Sequence, residues 1–173
     1  MSSLERAWAL VKTVLFAATF IAFTVIYLPW TLAIRGVAVS YQGPGVWRLS
    51  GIVPLIAGAG VMFRCVFAFA WTGLGTPAPF DPPRSLIVSG FYGYTRNPMY
   101  AGAVLVIAGE TALFGSLRAG LEYLLIFAAC VVLFVLLYEE PALRSKFGAQ
   151  YEEYCRNVPR FLPRLTPWKV GPS

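Results

Sequence analysis

The 173-residue chain contains no histidine, and charged residues make up only 13% of it. A soluble domain carries about 25% charged residues, so this composition predicts that the chain has the lipid bilayer as its solvent. The absence of histidine removes the commonest general base from any chemistry here. The three cysteines, Cys65, Cys130 and Cys155, are odd in number and lack metal-ligand spacing, so we expect neither a disulfide framework nor a metal site.

Apolar runs account for most of the chain. A transmembrane helix needs about 20 mostly apolar residues, and four windows meet that requirement: Thr13–Ile34, Ser50–Trp71, Pro98–Leu117 and Ala119–Tyr138. The first window is too long and too apolar for a signal peptide and has no cleavage site after it, so we interpret it as a retained span.

The segment after the fourth window has a helical apolar face. Its apolar residues are Leu143, Phe147, Tyr151 and Tyr154, spaced i, i+4, i+8 and i+11, which is typical of an amphipathic helix at the membrane interface. We predict that this helix covers 142–156. The predicted fold class is therefore an all-α integral membrane protein with about four transmembrane helices and a C-terminal interfacial amphipathic helix.

The basic residues predict the orientation. Ten of the 14 Lys and Arg residues fall on the side that holds both termini, and three fall on the other side. The positive-inside rule therefore predicts cytoplasmic termini. The net charge of +6 is explained by this bias and by attraction to anionic lipid headgroups, so no nucleic-acid partner is expected.

The chain is predicted to form one membrane domain over 1–173. Residues 1–72 would supply two spans, and residues 73–165 would form the functional core. The stretch 73–90, "GLGTPAPFDPPRSLIVSG", carries four prolines and three glycines. Such a stretch is either a plain connector or a lid over a site at the membrane face.

A polar motif, "RNPMYAG" (96–102), starts the third apolar window. Asn97 suits an N-cap and Pro98 suits the first helical position, which leaves backbone N–H groups for an anion. Glu139 and Glu140 follow the fourth window on the same predicted side. Because the third and fourth windows are joined by a very short linker, we expect the carboxylates to lie close to the 97–102 helix start.

These segments resemble a known family. "RNPMYAG" is similar to the R-H-P-x-Y-x-G motif, and "YEEPALRSKFGAQYEEYCRNVPRFLP" to the C-terminal motif, of the isoprenylcysteine carboxyl methyltransferase and phospholipid methyltransferase-like membrane proteins. The resemblance covers roughly residues 73–165 and extends to bacterial members. It implies an S-adenosylmethionine-dependent methyltransferase of the bacterial inner membrane, with a lipid or small lipophilic acceptor entering from the bilayer.

The resemblance also implies site residues. The cofactor would be bound by Arg96, Asn97, Pro98, Tyr100, Gly102, Glu139, Glu140, Tyr151 and Tyr154. The resemblance leaves the catalytic residue open, and Arg64, Arg156 and Arg160 are candidates to orient the acceptor in place of a family arginine that this chain lacks.

The chain departs from the family pattern at two places. The motif histidine is Asn97, which can bind but cannot transfer a proton. The arginine that prenylcysteine enzymes carry shortly before the glutamate pair is absent from "LFVLLY". This favours another lipid or small lipophilic acceptor over a prenylcysteine. Two alternatives stay open: an NADPH-dependent membrane reductase of related fold, and a non-catalytic membrane scaffold protein.

Overall fold

The computed structural model describes residues 45–69, 85–114 and 117–168, together with 22–27 and the single positions 8, 11, 15, 18 and 19. These residues are helical or irregular and include no strand. Most of the first predicted span, and residues 73–84 of the stretch 73–90 that was predicted as a connector or lid, lie outside the described residues. In chain order the elements are a π-helical segment (Ala22–Tyr27), a 3-10 turn (Val46–Gly51), α1 (Ile52–Ala68), a 3-10 turn (Gly90–Gly93), α2 (Pro98–Phe114), α3 (Leu117–Phe134), a π turn (Val135–Glu139), α4 (Glu140–Phe147) and α5 (Ala149–Asn157).

Two continuous helical stretches in the described residues are long and apolar enough to cross a membrane. They are Arg48–Ala68 and Leu117–Phe147, and they correspond to the second and fourth predicted windows. The third window forms α2, whose 17 residues rise about 26 Å, less than the ~30 Å of a bilayer core. We therefore describe α2 as a shorter apolar helix beside two candidate spans.

Glycines allow α1 and α2 to pack closely and antiparallel. Gly51 lies against Gly109, and Gly58, seven residues later, lies against Gly102. A Cβ added at Gly51 would come within 2.5 Å of the Gly109 carbonyl oxygen. Small residues at such crossings let helix backbones approach closely where lipid supplies no hydrophobic driving force.

Helices α2 and α3 form an antiparallel hairpin, as the very short linker between the third and fourth windows predicts. Thr111 near the end of α2 contacts Gly120 near the start of α3, while Tyr100 and Glu139 meet at the other end. A buried cluster of Met62, Ala103, Val106, Ile107 and Phe127 joins this hairpin to α1. The start of α2 and the end of α3 are thereby fixed side by side.

The prediction of one amphipathic helix over 142–156 is wrong in its continuity. Gly148 has φ of 51° and separates α4 from α5, and this left-handed region favours glycine. The apolar face is nevertheless confirmed, because Leu143, Phe147, Tyr151 and Tyr154 all belong to one cluster. The break turns the chain without dispersing that face.

Candidate functional site

Glu140 is the centre of a buried ion-pair cluster. It is the first residue of α4 and is only 5% exposed. Its Oε1 lies 2.9 Å from a terminal nitrogen of Arg96 and 2.6 Å from Nε of Arg160, and its Oε2 lies 3.0 Å from a terminal nitrogen of Arg160. Paired bonds from a guanidinium to a carboxylate are among the strongest charge-assisted hydrogen bonds. The hydrogen bond to this carboxylate raises the pKa of Arg160.

A third arginine links the cluster to α5. Arg144 lies one helical turn from Glu140 at 3.9 Å and makes a closer ion pair, 2.6 Å, with Glu152. Arg144 and Glu152 are each about half exposed, so this pair contributes little to stability. Glu152 thereby offsets the positive charge that Arg144 brings beside Glu140.

Glu139 faces α2 instead. Its Oε2 accepts a hydrogen bond of 3.0 Å from the Tyr100 hydroxyl. The two neighbouring carboxylates therefore have different partners, one a phenol and the other guanidinium groups. The predicted proximity of the glutamate pair to the 97–102 helix start is confirmed.

Arg96 is buried to nine-tenths and has an unpartnered donor. One of its terminal nitrogens donates to Glu140 and also lies 2.8 Å from the sulfur of Cys155. Its Nε is buried and, among the described residues, has no hydrogen-bond partner. An orphaned buried donor costs free energy unless something accepts from it, which makes this nitrogen a candidate donor to a ligand oxygen.

Residues 93–97 are held by the C-terminal segment. The Arg96 N–H donates to the carbonyl of Pro159, and the Asn97 side-chain amide donates to that of Arg160. The buried Thr95 hydroxyl lies 3.0 and 3.2 Å from the carbonyl oxygens of Arg160 and Phe161. We call residues 159–168 the C-terminal strap. It reaches as far as Gly93, whose carbonyl accepts from Trp168.

The helix start matches the sequence prediction in position. Pro98 is the first residue of α2, and the carbonyl of Asn97 accepts the N–H of Ala101 at 3.3 Å, so Asn97 stands at the N-cap. Its side chain, however, binds the strap. The N–H of Asn97 lies 3.4 Å from the Thr95 hydroxyl oxygen.

Two buried tyrosines of α5 lie beside the ion-pair cluster. Tyr151 and Tyr154 are almost fully buried beside Val158, and the Tyr154 hydroxyl donates to the carbonyl of Tyr92 at 2.7 Å. Burial raises the pKa of each of these three tyrosines. They remain neutral in the folded protein.

The structure groups most, but not all, of the predicted site residues. Arg96, Asn97, Tyr100, Glu139, Glu140 and Arg160 lie together, with Tyr151 and Tyr154 behind them. Gly102 lies against α1, where a Cβ would approach Met62 to 2.8 Å. Arg64 and Arg156 are exposed and have no hydrogen bond or ion pair to this cluster.

Sequence reasoning missed Thr95 and Cys155. Both side chains bind partners about 60 residues away, and no local signal marks such contacts. The sequence offers Arg160 as a candidate to orient the acceptor, whereas the structure places its guanidinium in a bidentate bond with Glu140. The "VPR" run (158–160) was the available signal, since it lies within the C-terminal motif.

Comparison with known proteins identifies relatives of two kinds. Residues 47–150 match the phospholipid methyltransferase family. The chain is 28% identical over 134 residues to methanethiol S-methyltransferase 2 of Bradyrhizobium diazoefficiens, covering 69% of this chain and 50% of the relative. It is 35% identical over 91 residues to the Delta(14)-sterol reductase TM7SF2 of Mus musculus, covering 49% of this chain and 21% of the relative.

The Delta(14)-sterol reductase LBR of Gallus gallus is 30% identical over 86 residues, covering 47% of this chain and 13% of that protein. The chain thus spans half or less of the length of these curated relatives. No solved structure matches the chain significantly. The family match contains Arg96, Tyr100 and both glutamates of the cluster and ends before the strap.

Proposed function

The chain belongs to the phospholipid methyltransferase family, and we propose that it transfers the methyl group of S-adenosylmethionine to a lipid or small lipophilic acceptor. The reaction would take place at the cytoplasmic face of a bacterial inner membrane. The observation that carries this proposal is the buried cluster of Arg96, Arg160 and Glu140 beside the Tyr100–Glu139 pair.

The chemistry of this cluster fits the cofactor. S-adenosylmethionine presents an ammonium, a carboxylate, ribose hydroxyls and an adenine, and it supplies an electrophilic methyl group on its sulfonium. The orphaned Nε of Arg96 is a donor for an anionic oxygen, and Arg160 offers a partly exposed guanidinium. Glu139 and Glu140 are the matching acceptors for ammonium or hydroxyl groups. Asn97 and Pro98 would contribute the helix start.

The remaining predicted residues would act less directly. Tyr151 and Tyr154 would shape the wall of the site, because both are buried beneath the strap. Gly102 would act through helix packing, since it lies against α1. Their contribution to cofactor binding would be to hold Arg96 and Tyr100 in place.

The site suits an acceptor that needs no general base. The chain has no histidine, Glu140 is engaged by two arginines, and Glu139 already accepts from Tyr100. A thiolate or carboxylate acceptor can attack directly, whereas an ammonium must first lose a proton. Catalysis would then rest on positioning and exclusion of water. The relative named for methanethiol favours a small thiol within this class.

The acceptor would arrive from the bilayer. Leu133, Leu136 and Leu137, on the helix that leads to Glu139, are exposed and apolar. A lipophilic molecule could therefore approach the carboxylates along this face without crossing water. This route is consistent with a candidate membrane span over Leu117–Phe147.

Reduction with NADPH is the second candidate function, and the two sterol reductase relatives favour it. NADPH carries several phosphate groups, which need free cationic partners. In the cluster, Arg96 and Arg160 share the carboxylate of Glu140, and Arg144 pairs with Glu152. Three guanidinium groups against two carboxylates leave one net positive charge, which suits the single carboxylate of the zwitterionic cofactor better than several phosphate groups.

Calorimetric titration of the detergent-purified protein separates the candidates. Saturable binding of S-adenosylhomocysteine without binding of NADPH would support the methyltransferase. Binding of NADPH alone would support the reductase, and binding of neither would support a scaffold that has no cofactor.

A matched pair of variants then tests the site. Glu140→Gln should abolish S-adenosylhomocysteine binding, because it removes the charge that Arg96 and Arg160 share. Glu122→Gln removes a carboxylate from an exposed ion pair on α3 and should bind as the wild type does. Wild-type affinity in Glu140→Gln would refute the proposed site.

A further inference from the structure

The long helix that ends at the carboxylates contains a π turn. Over Val135–Glu139 the helix widens, and the N–H of Glu140 donates to the carbonyl of Val135, five residues earlier. An α-helix would pair residues four apart. Such π turns amount to one extra residue inserted into a helix and are common at functional sites.

Pro141, directly after this turn, supplies a physical cause for it. Proline has no N–H to donate, and its ring clashes with the carbonyl four residues earlier in a regular α-helix. Here that carbonyl belongs to Leu137, which lies inside the π turn. Widening the helix at this point separates the carbonyl from the proline ring.

The π turn decides which side chains face inward. Val135 is 1% exposed and Glu140 5% exposed, while Leu136, Leu137 and Tyr138 between them are exposed. At 100° per residue, an α-helix would place positions 135 and 140 about 140° apart. One of the two would then face lipid. The five-residue bond brings Glu140 back above Val135, so both are buried.

The same turn separates the functions of the two glutamates. Glu139, its last residue, bonds to Tyr100 on α2, while Glu140 bonds to Arg96 and Arg160. If the helix register shifted by one residue, the side chain of Glu140 would rotate by about 100° around the helix axis. Glu140 would then no longer reach either arginine. This shift would leave Arg96 buried without its carboxylate.

We propose that Pro141, through the π turn, is a positioning residue that sets the rotational register of Glu139 and Glu140. Where this inference is tested by cofactor binding, it rests on the proposed function. Pro141 itself is exposed and bonds to no residue of the cluster. Its effect would be exerted entirely through the helix backbone.

Three variants test this register effect. Alanine is a better helix former than proline, so Pro141→Ala should relax the π turn to α-helix. This variant should bind S-adenosylhomocysteine about tenfold or more weakly, as expected when a charge-assisted hydrogen bond is lost. Deleting the exposed Leu137 from this variant should restore the affinity to within about threefold of the wild-type value. The deletion removes the extra residue, so a regular helix then carries Glu140 to the same face. Pro54→Ala, in the first turn of α1, controls for losing a helical proline.

A second readout does not depend on the cofactor. The coupling between Glu140 and Arg96 is measured by a double-mutant cycle of melting temperatures with Glu140→Gln and Arg96→Gln. It should be large in the wild type, near zero in Pro141→Ala and restored by the deletion. If the wild type binds no S-adenosylhomocysteine, the proposed function fails and this cycle alone decides the inference. Intact coupling in Pro141→Ala, or no rescue by the deletion, would overturn it.

Discussion

Two glycines on α1 allow a sharp test of how α1 and α2 pack. A Cβ at Gly58 would contact the Gly102 carbonyl oxygen and approach the backbone nitrogen of Val106 to 2.8 Å and Cβ of Leu105 to 2.9 Å. At Gly60, two residues later, nothing lies within 4 Å. Because backbone atoms cannot rotate away as a side chain can, Gly58→Ala must push the helices apart.

The expected magnitude follows from a difference between the two variants. Each Gly→Ala change gains about 0.5–1 kcal/mol of helix stability, and this gain cancels in the comparison. Overpacking costs about 1–3 kcal/mol and applies to Gly58→Ala alone. For a chain of this size, that difference corresponds to roughly 2–12 °C in melting temperature.

Thermal melts of both variants in the same detergent, followed by tryptophan fluorescence, measure this difference. Gly60→Ala should melt at or slightly above the wild-type temperature, and Gly58→Ala should melt lowest. If Gly58→Ala melted with or above Gly60→Ala, the close approach of α1 and α2 at Gly58 and Gly102 would be refuted.

Two further predictions concern the strap and the tyrosines. Thr95→Val removes a buried hydroxyl that lies 3.0 Å from the carbonyl of Arg160 and should cost about 1–2 kcal/mol, so limited proteolysis should cut the strap faster. Thr111→Val removes a hydroxyl bonded within its own helix and should leave the rate of cleavage unchanged. Equal cleavage rates for Thr95→Val and the wild type would contradict the role of Thr95 in holding the strap. Because burial raises the pKa of Tyr154 above its ordinary value of 10.0, its contribution to stability is complete below pH 10 and is lost at higher pH, where the unfolded tyrosine ionises. The melting temperature of Tyr154→Phe should therefore fall less than that of the wild type between pH 9 and 11. An equal fall in both proteins would show that the pKa of Tyr154 is the same in the folded and unfolded states.

The helix boundaries that sequence predicted well are those with local causes. Asn97 and Pro98 predicted the start of α2, because capping and the fixed φ of proline act within one turn. Pro141 acts locally in the same way at the end of the fourth window, because a proline there removes the hydrogen bond to the Leu137 carbonyl and disturbs the helix. The consequence of this disturbance, a π turn that turns Glu140 toward Arg96 and Arg160, could not be predicted, because those partners lie far away in the sequence.

The break at Gly148 shows why apolar periodicity alone is insufficient. Leu143, Phe147, Tyr151 and Tyr154 keep helical spacing across the break, so the pattern predicts one helix. The chain turns at Gly148 and still brings the same four side chains into one cluster. A periodic pattern reports which residues share a face, and a single glycine with positive φ can redirect the backbone between them.

The role of Asn97 could not be inferred from its motif alone. The sequence suggested a capping side chain, whereas its amide donates to the carbonyl of Arg160, 63 residues away. The same arginine holds Glu140 through its side chain. Arg160 therefore connects the start of α2 to the carboxylate at the start of α4, one through its backbone and the other through its guanidinium. An amide at position 97 suffices for this connection, so the loss of the motif histidine leaves the scaffold of the site intact and restricts the proposed chemistry to acceptors that need no proton removed by residue 97.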